Sequence, residues 1–91
     1  MSEAKKILLI DDDVDFVAAN TLLLEAKGYT VVSAHDGDSG VAKAKEEIPD
    51  LILLDVMMTH DTEGFDVSRR LKDIPELEKT VVIMLTGITY K

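Results

Sequence analysis

Hydrophobic residues in this chain fall into four short apolar runs, separated by longer stretches of mixed polarity. The runs are Ile7–Ile10, Thr30–Ala34, Leu51–Leu54 and Thr80–Leu85. Short apolar runs that are bounded by turn signals and rich in branched residues predict strands. The third run is apolar throughout, which is typical of a strand that helices bury on both faces of a parallel sheet.

The three intervening stretches have apolar residues at helical spacing and predict three helices. The first runs from Val14 to Lys27 and ends at Gly28; it is predicted to be amphipathic, with inward positions Val14, Val17, Ala18, Thr21, Leu22 and Leu24. The second begins at Asp36-Gly37-Asp38 and stops at Pro49, with Val41, Ala42 and Ala44 facing inward. The third runs from Gly64 to Pro75.

Strands and helices therefore alternate in the order βαβαβαβ. This alternation implies right-handed parallel crossovers, because a strand, a helix and a parallel strand connect almost always with that hand. The predicted fold class is α/β, a doubly wound parallel sheet with helices on both faces.

Acidic residues follow two of the predicted strands. Asp11, Asp12 and Asp13 come directly after the first strand, and Asp55 comes directly after the third. Helix capping explains Asp13, but it does not explain the acids before it. If the two strands are neighbours, like charges crowd one edge of the sheet, and a hard divalent cation such as Mg²⁺ would neutralise them.

Two residues at this edge are candidates for phosphoryl chemistry. A carboxylate beside a bound cation can attack phosphorus and carry the phosphoryl group, and Asp55 occupies such a position. Thr86 ends the fourth strand, where its hydroxyl is placed either to bind a phosphoryl oxygen or to cap a following helix. Spacing alone does not separate these two roles.

Composition and charge restrict the class of protein. The chain has 91 residues, which is one domain, and a formal net charge of −8, which repels nucleic acid and anionic membranes. It has no cysteine and no apolar run as long as a membrane span. We expect a soluble, cytoplasmic protein.

These residues together resemble the receiver domain of bacterial response regulators. The resemblance rests on residues 7–13, on Gly28-Tyr29 and Asp36-Gly37, on residues 49–58, and on Gly64-Phe65 and residues 82–86. It implies a flavodoxin-like sheet with strand order 2-1-3-4. It also implies that a histidine kinase or phosphotransfer protein is the partner, and that the domain is a phosphoacceptor rather than an enzyme, although it can assist its own phosphorylation and dephosphorylation.

The resemblance also assigns roles to individual residues. Asp11 and Asp12 are the acid pair that binds Mg²⁺, Asp55 is both the phosphoacceptor and a metal ligand, and the backbone carbonyl of Met57 is a further ligand. Thr86 is the hydroxyl that hydrogen-bonds to the phosphoryl group.

The resemblance further implies a C-terminally incomplete receiver domain over residues 1–91. The fifth strand of the family, which carries a lysine that pairs with the phosphoryl group, and the final helices would follow Lys91. The Thr80 to Leu85 strand would then be an edge strand that is apolar on both faces, so we expect it to mediate self-association.

Two alternatives come from other functional classes. The first is a phosphatase similar to the haloacid dehalogenases, in which Asp11 is the nucleophile and Thr86 belongs to the second motif; this alternative leaves Asp55 unexplained. The second is a scaffold or assembly fragment that has lost signalling.

Overall fold

The computed structural model describes residues 5–55 and 63–85. Within them the chain forms the predicted alternation of strands and helices, with a short 3₁₀ turn over Pro75–Leu77. The elements are β1 (Lys6–Ile10), α1 (Val14–Ala26), β2 (Thr30–Ala34), α2 (Gly37–Glu47), β3 (Leu51–Asp55), α3 (Glu63–Lys72) and β4 (Val81–Leu85). The order predicted from hydrophobic patterning is thereby confirmed.

The four strands form one parallel sheet in the order β2-β1-β3-β4. Leu8 of β1 pairs with Val32 of β2 on one side and with Ile52 of β3 on the other. This order confirms the predicted flavodoxin-like arrangement. It also places the carboxyl ends of β1 and β3 next to each other.

The core lies on both faces of β1 and on one face of β3. On one face α2 and α3 cover the sheet and form the larger buried cluster, which contains Leu8, Ile10, Val41, Ala44, Ile52, Leu54, Val67, Leu71, Ile74 and Leu77. Helix α2 approaches β1 closely at Gly40, where an added Cβ atom would lie only 2.7 Å from Cδ1 of Ile10. On the opposite face α1 packs over Ile7 and Leu9 through Val17.

Burial differs from the sequence prediction on the face that α1 covers. Leu51 and Leu53 of β3 are only half-buried, so this strand is not buried on both faces as predicted. Within α1 the one fully buried residue is Val17, whereas Val14 and Leu22 are 61% and 71% exposed. The reason is geometric: among the described helices α1 alone lies on this face, where it packs against β2 and leaves β3 partly open.

The helix boundaries follow the capping signals, with small differences. The Asp13 side chain accepts a hydrogen bond from the Phe16 N–H at 3.1 Å and begins α1, while Gly28, with φ +97°, follows its end. Ala42 of α2 is exposed rather than inward. Helix α3 ends at Lys72, before Pro75, which starts the 3₁₀ turn. No helix within residues 5–55 and 63–85 has the length and hydropathy that a membrane span requires.

Candidate metal centre

The acidic cluster is a product of strand order. Ile10 of β1 pairs with Leu54 of β3, so the residues that follow each of them, Asp11 and Asp55, lie side by side at the carboxyl edge of the sheet. Asp55 is the last residue of β3 rather than the first residue beyond it. One carboxylate oxygen from each of Asp11, Asp12 and Asp55 lies within 4.8 Å of the other two. The structure thus brings together three of the predicted site residues.

Asp11 is fixed from three directions. The residue is 7% exposed, and its Oδ1 accepts a hydrogen bond from the Asp13 N–H at 2.9 Å. Its own N–H donates to the Ala34 carbonyl at 3.1 Å, and its carbonyl accepts a hydrogen bond from Nδ1 of His35 at 3.1 Å. The two backbone hydrogen bonds fix the main chain of Asp11, and its carboxylate cannot turn away from its acidic neighbours without breaking the hydrogen bond from the Asp13 N–H.

The other acids near Asp11 differ in role and in exposure. Asp13 uses its carboxylate to cap α1, and that accounts for its place in the sequence. Asp12 is exposed, and Asp55 is half-buried at the end of β3. The cluster consequently has one buried carboxylate, one partly buried carboxylate and one that faces water.

Burial is the largest cause of an unusual pKa at Asp11. The pKa of Asp11 is raised from 3.8 to about 6, mainly by burial, and three smaller effects act in the same direction. These are the negative charge of Asp55, a hydrogen bond between the Asp11 and Asp55 carboxyl groups, and the charge of Asp12. The Asp13 N–H opposes this by stabilising the ionised form. At neutral pH the site therefore holds an unfavourable charge that a proton or a cation relieves.

The donor atoms suit a hard divalent cation. Carboxylate oxygens are preferred by Mg²⁺, which binds them at about 2.0–2.1 Å in an octahedron, so its ligands lie up to about 4.2 Å apart. The oxygens of the cluster lie within 4.8 Å of one another, and small side-chain movements bring them to that spacing. The exposed side at Asp12 leaves the cluster open to solvent, so water molecules and a phosphate oxygen would supply the remaining ligands of such an ion.

Stability is expected to depend on pH through Asp11. The pKa of Asp11 is about 6 in the folded state, whereas an ordinary aspartate, as in the unfolded chain, has a pKa of 3.8. Between these two pH values the folded state therefore binds more protons than the unfolded state. Stability therefore falls as pH rises through this window, and the loss is complete above about 6. We expect Asp11→Asn to exceed wild type in urea midpoint by a larger margin at pH 7 than at pH 4.5, both measured with a chelator. An equal margin at the two pH values would contradict this assignment.

Sequence patterning missed the place of His35. The hydrophobic pattern does not single out this residue, which is exposed, yet its ring contacts the backbone of Asp11. It follows β2, which is the other neighbour of β1. The position of His35 next to Asp11 follows from the strand order, and the spacing of residues around His35 does not reveal that order. Two other predicted site residues, Met57 and Thr86, lie outside the described residues.

Comparison with known proteins decides the family. The sequence profile of the response regulator receiver domain matches residues 7–90. The chain belongs to the response regulator receiver domain family. The predicted resemblance is confirmed, as is the fold that it implied.

Similar proteins are longer than this receiver domain. The chain is 42% identical over 87 residues to the response regulator PleD of Caulobacter vibrioides, a match that covers 91% of the chain and 18% of PleD. It is 43% identical over 82 residues to the transcriptional regulatory protein CpxR of Escherichia coli K12, covering 90% of the chain and 33% of CpxR. The chain thus spans less than half of the length of these relatives.

A solved structure has the same fold. The chemotaxis response regulator CheY4 of Vibrio cholerae superposes with a TM-score of 0.85 at 30% identity, over 98% of this chain and 72% of CheY4. Its similarity agrees with the parallel strand order described above. Receiver domains are signalling domains that interact with histidine kinases or phosphotransfer proteins and bind Mg²⁺ at an acidic cluster.

Proposed function

We propose that this receiver domain accepts a phosphoryl group on Asp55 from a phosphohistidine of a histidine kinase or phosphotransfer protein. In the proposal Mg²⁺ is held by Asp11, Asp12 and Asp55. The observation that carries it is the convergence of these three carboxylates within 4.8 Å at the carboxyl ends of two neighbouring parallel strands.

Accessibility favours Asp55 as the nucleophile. Asp11 is 7% exposed and is held by the Asp13 N–H, whereas Asp55 is half-buried at the sheet edge. An oxygen of the Asp55 carboxylate attacks phosphorus, the bond between phosphorus and the imidazole nitrogen breaks, and the electron pair of that bond remains on the imidazole. The imidazole nitrogen takes a proton from water, so the products are an aspartyl phosphate and a neutral histidine on the partner.

The other residues of the cluster are proposed to hold the cation that neutralises phosphoryl charge. When bound, the cation neutralises negative charge on the phosphoryl oxygens of a loose transition state. Asp11 and Asp12 would hold the ion, and the hydrogen bond from the Asp13 N–H keeps the Asp11 carboxylate in place. The proposed set also includes the Met57 carbonyl as a ligand and the Thr86 hydroxyl as a donor to the phosphoryl group.

The two alternative functions are weaker. In a phosphatase similar to the haloacid dehalogenases Asp11 would be the nucleophile, but its burial obstructs attack, and family membership favours a phosphoacceptor. A scaffold fragment that has lost signalling would not require three carboxylates close together at the edge of the sheet. We propose a cytoplasmic phosphoacceptor without independent enzymatic turnover; its net charge of −8 argues against binding nucleic acid or a membrane through this domain.

Intact mass spectrometry tests the proposal. Incubation with acetyl phosphate and Mg²⁺ is expected to add the mass of one phosphoryl group, which hydroxylamine removes because an acyl phosphate is labile to it. A chelator in place of Mg²⁺ should prevent the gain. No gain under either condition would favour the scaffold, and steady turnover of a chromogenic phosphate ester would favour the phosphatase.

A further inference from the structure

His35 lies beside the candidate metal centre, on the side of Asp11 that faces away from Asp55. The last residue of β1 pairs with the last residue of β2 and with Leu54 of β3. When this register is extended by one residue, Asp11 lies between His35 and Asp55. His35 is thus the nearest contribution of β2 to the site, and the proposed function gives it no role.

One hydrogen bond joins the ring of His35 to the main chain of Asp11. Nδ1 of His35 lies 3.1 Å from the Asp11 carbonyl oxygen. Because a carbonyl oxygen only accepts hydrogen bonds, Nδ1 carries a proton and is the donor. In a parallel ladder of this register the backbone N–H of Asp36 would donate to that carbonyl. Strand β2 ends at Ala34, however, and the ring of His35 supplies a donor there.

This hydrogen bond orients the peptide group that precedes Asp12. The Asp11 carbonyl belongs to the peptide group between Asp11 and Asp12, which is planar and moves as one unit. On the other side of Asp12, the Asp13 N–H donates to Oδ1 of Asp11 at 2.9 Å. Both peptide groups around Asp12 are therefore held by hydrogen bonds, and His35 supplies one of them.

The main chain determines where the Asp12 carboxylate can reach. Asp12 is exposed, so packing does not hold its side chain as burial holds Asp11. One carboxylate oxygen of Asp12 nevertheless lies within 4.8 Å of oxygens of Asp11 and Asp55. Rotation of the preceding peptide group would displace the Cα atom of Asp12 and carry this oxygen away from the cluster.

We propose that His35 is a positioning residue of the metal centre, which holds the peptide group between Asp11 and Asp12 so that both carboxylates reach one divalent cation. This role rests on the proposed function, because it requires the ion to bind at this cluster. Outer-shell partners of metal ligands typically contribute about 10–100-fold to metal affinity. His35 acts through the main chain and is not itself a ligand, so its loss should weaken Mg²⁺ binding without abolishing it.

Calorimetric titration with Mg²⁺ compares two substitutions of similar size at His35. In His35→Leu the donor is lost, and Mg²⁺ affinity should fall at least about tenfold. In His35→Asn the side-chain amide nitrogen is bonded to Cγ, as Nδ1 of histidine is, so it can donate to the same carbonyl and keep the affinity within about threefold of wild type. Without the ion, amide hydrogen exchange of the Asp12 N–H should be faster in His35→Leu than in His35→Asn.

Asp36→Ala is the control for an effect on α2, because His35 directly precedes the N-cap of that helix. The Asp36 carboxylate accepts a hydrogen bond from the Ser39 N–H at 2.8 Å. Loss of this cap should lower the urea midpoint. Mg²⁺ affinity should stay within about threefold of wild type at physiological salt, which screens the charge that is removed. Circular dichroism verifies that each variant is folded.

Phosphorylation by acetyl phosphate provides a second measurement. In His35→Leu the Mg²⁺ concentration that gives half of the maximal rate should rise at least about tenfold. The rate at saturating Mg²⁺ should stay near that of wild type, because His35 contacts neither the ion nor the phosphoryl group in this role. A lower maximal rate with an unchanged requirement for Mg²⁺ would contradict positioning of the metal ligands.

The outcomes separate the role of His35 from the proposed function. A wild-type chain that does not bind Mg²⁺, or an Asp12→Asn variant that binds it as tightly as wild type, would overturn both. If wild type binds Mg²⁺ and His35→Leu binds it equally well, the role of His35 alone is overturned. Equal losses of affinity in His35→Leu and His35→Asn, or in His35→Leu and Asp36→Ala, would overturn it as well.

Discussion

Asp55→Asn is expected to abolish the mass gain that acetyl phosphate and Mg²⁺ produce in the wild-type chain. The substitution keeps the size of the side chain and replaces the nucleophilic carboxylate with a neutral amide, so the protein should fold and lose phosphorylation to the level of a sample treated with chelator. Asp55 is half-buried at the end of β3, where a phosphodonor reaches it more easily than it reaches the buried Asp11. Intact mass and hydroxylamine sensitivity are the measurements.

Asp13→Asn is the matched control for this experiment. Asp13 lies in the same run of acids, but its carboxylate caps α1, and asparagine caps a helix about as well. We expect this variant to be phosphorylated like wild type. A mass gain that persists in Asp55→Asn and disappears in Asp11→Asn would instead identify Asp11 as the nucleophile and support the phosphatase alternative.

Asp11→Asn is expected to have opposite effects with and without Mg²⁺. Without the ion at pH 7, the variant should unfold at higher urea concentration than wild type, because it removes a buried charge beside Asp12 and Asp55. With Mg²⁺ at about 100 times its Kd, wild type should gain about 2.7 kcal/mol in free energy of unfolding. The variant should bind the ion at least about 100-fold more weakly and gain far less, because loss of a direct ligand should cost at least as much affinity as loss of an outer-shell partner.

Urea unfolding with chelator and across a Mg²⁺ titration measures both effects. Asp13→Asn again serves as the control and should keep the Mg²⁺-dependent stabilisation of wild type. If Asp11→Asn destabilises the metal-free protein, the carboxylate has a structural role that its pKa does not indicate. If it retains the full response to Mg²⁺, the ion binds elsewhere.

The sequence determined the elements of this protein and the positions of its acids along them. Hydrophobic periodicity is a local property, because alternation and helical spacing arise from the geometry of a single strand or helix. It predicted β1 and β3 and their acidic ends, and Asp13 as a cap. The prediction that Asp11 and Asp55 lie close together followed once the strand order was inferred, and the structure brings them together.

Tertiary structure alone decided how deeply each residue is buried and what surrounds it. Leu22 and Leu53 have the hydrophobicity of core residues, yet one is exposed and the other half-buried, because α1 is the single described helix on that face. The raised pKa of Asp11 and the contact from His35 likewise depend on groups that come from different strands. Burial and electrostatics are sums over neighbours in space, and a pattern along the chain does not specify those neighbours.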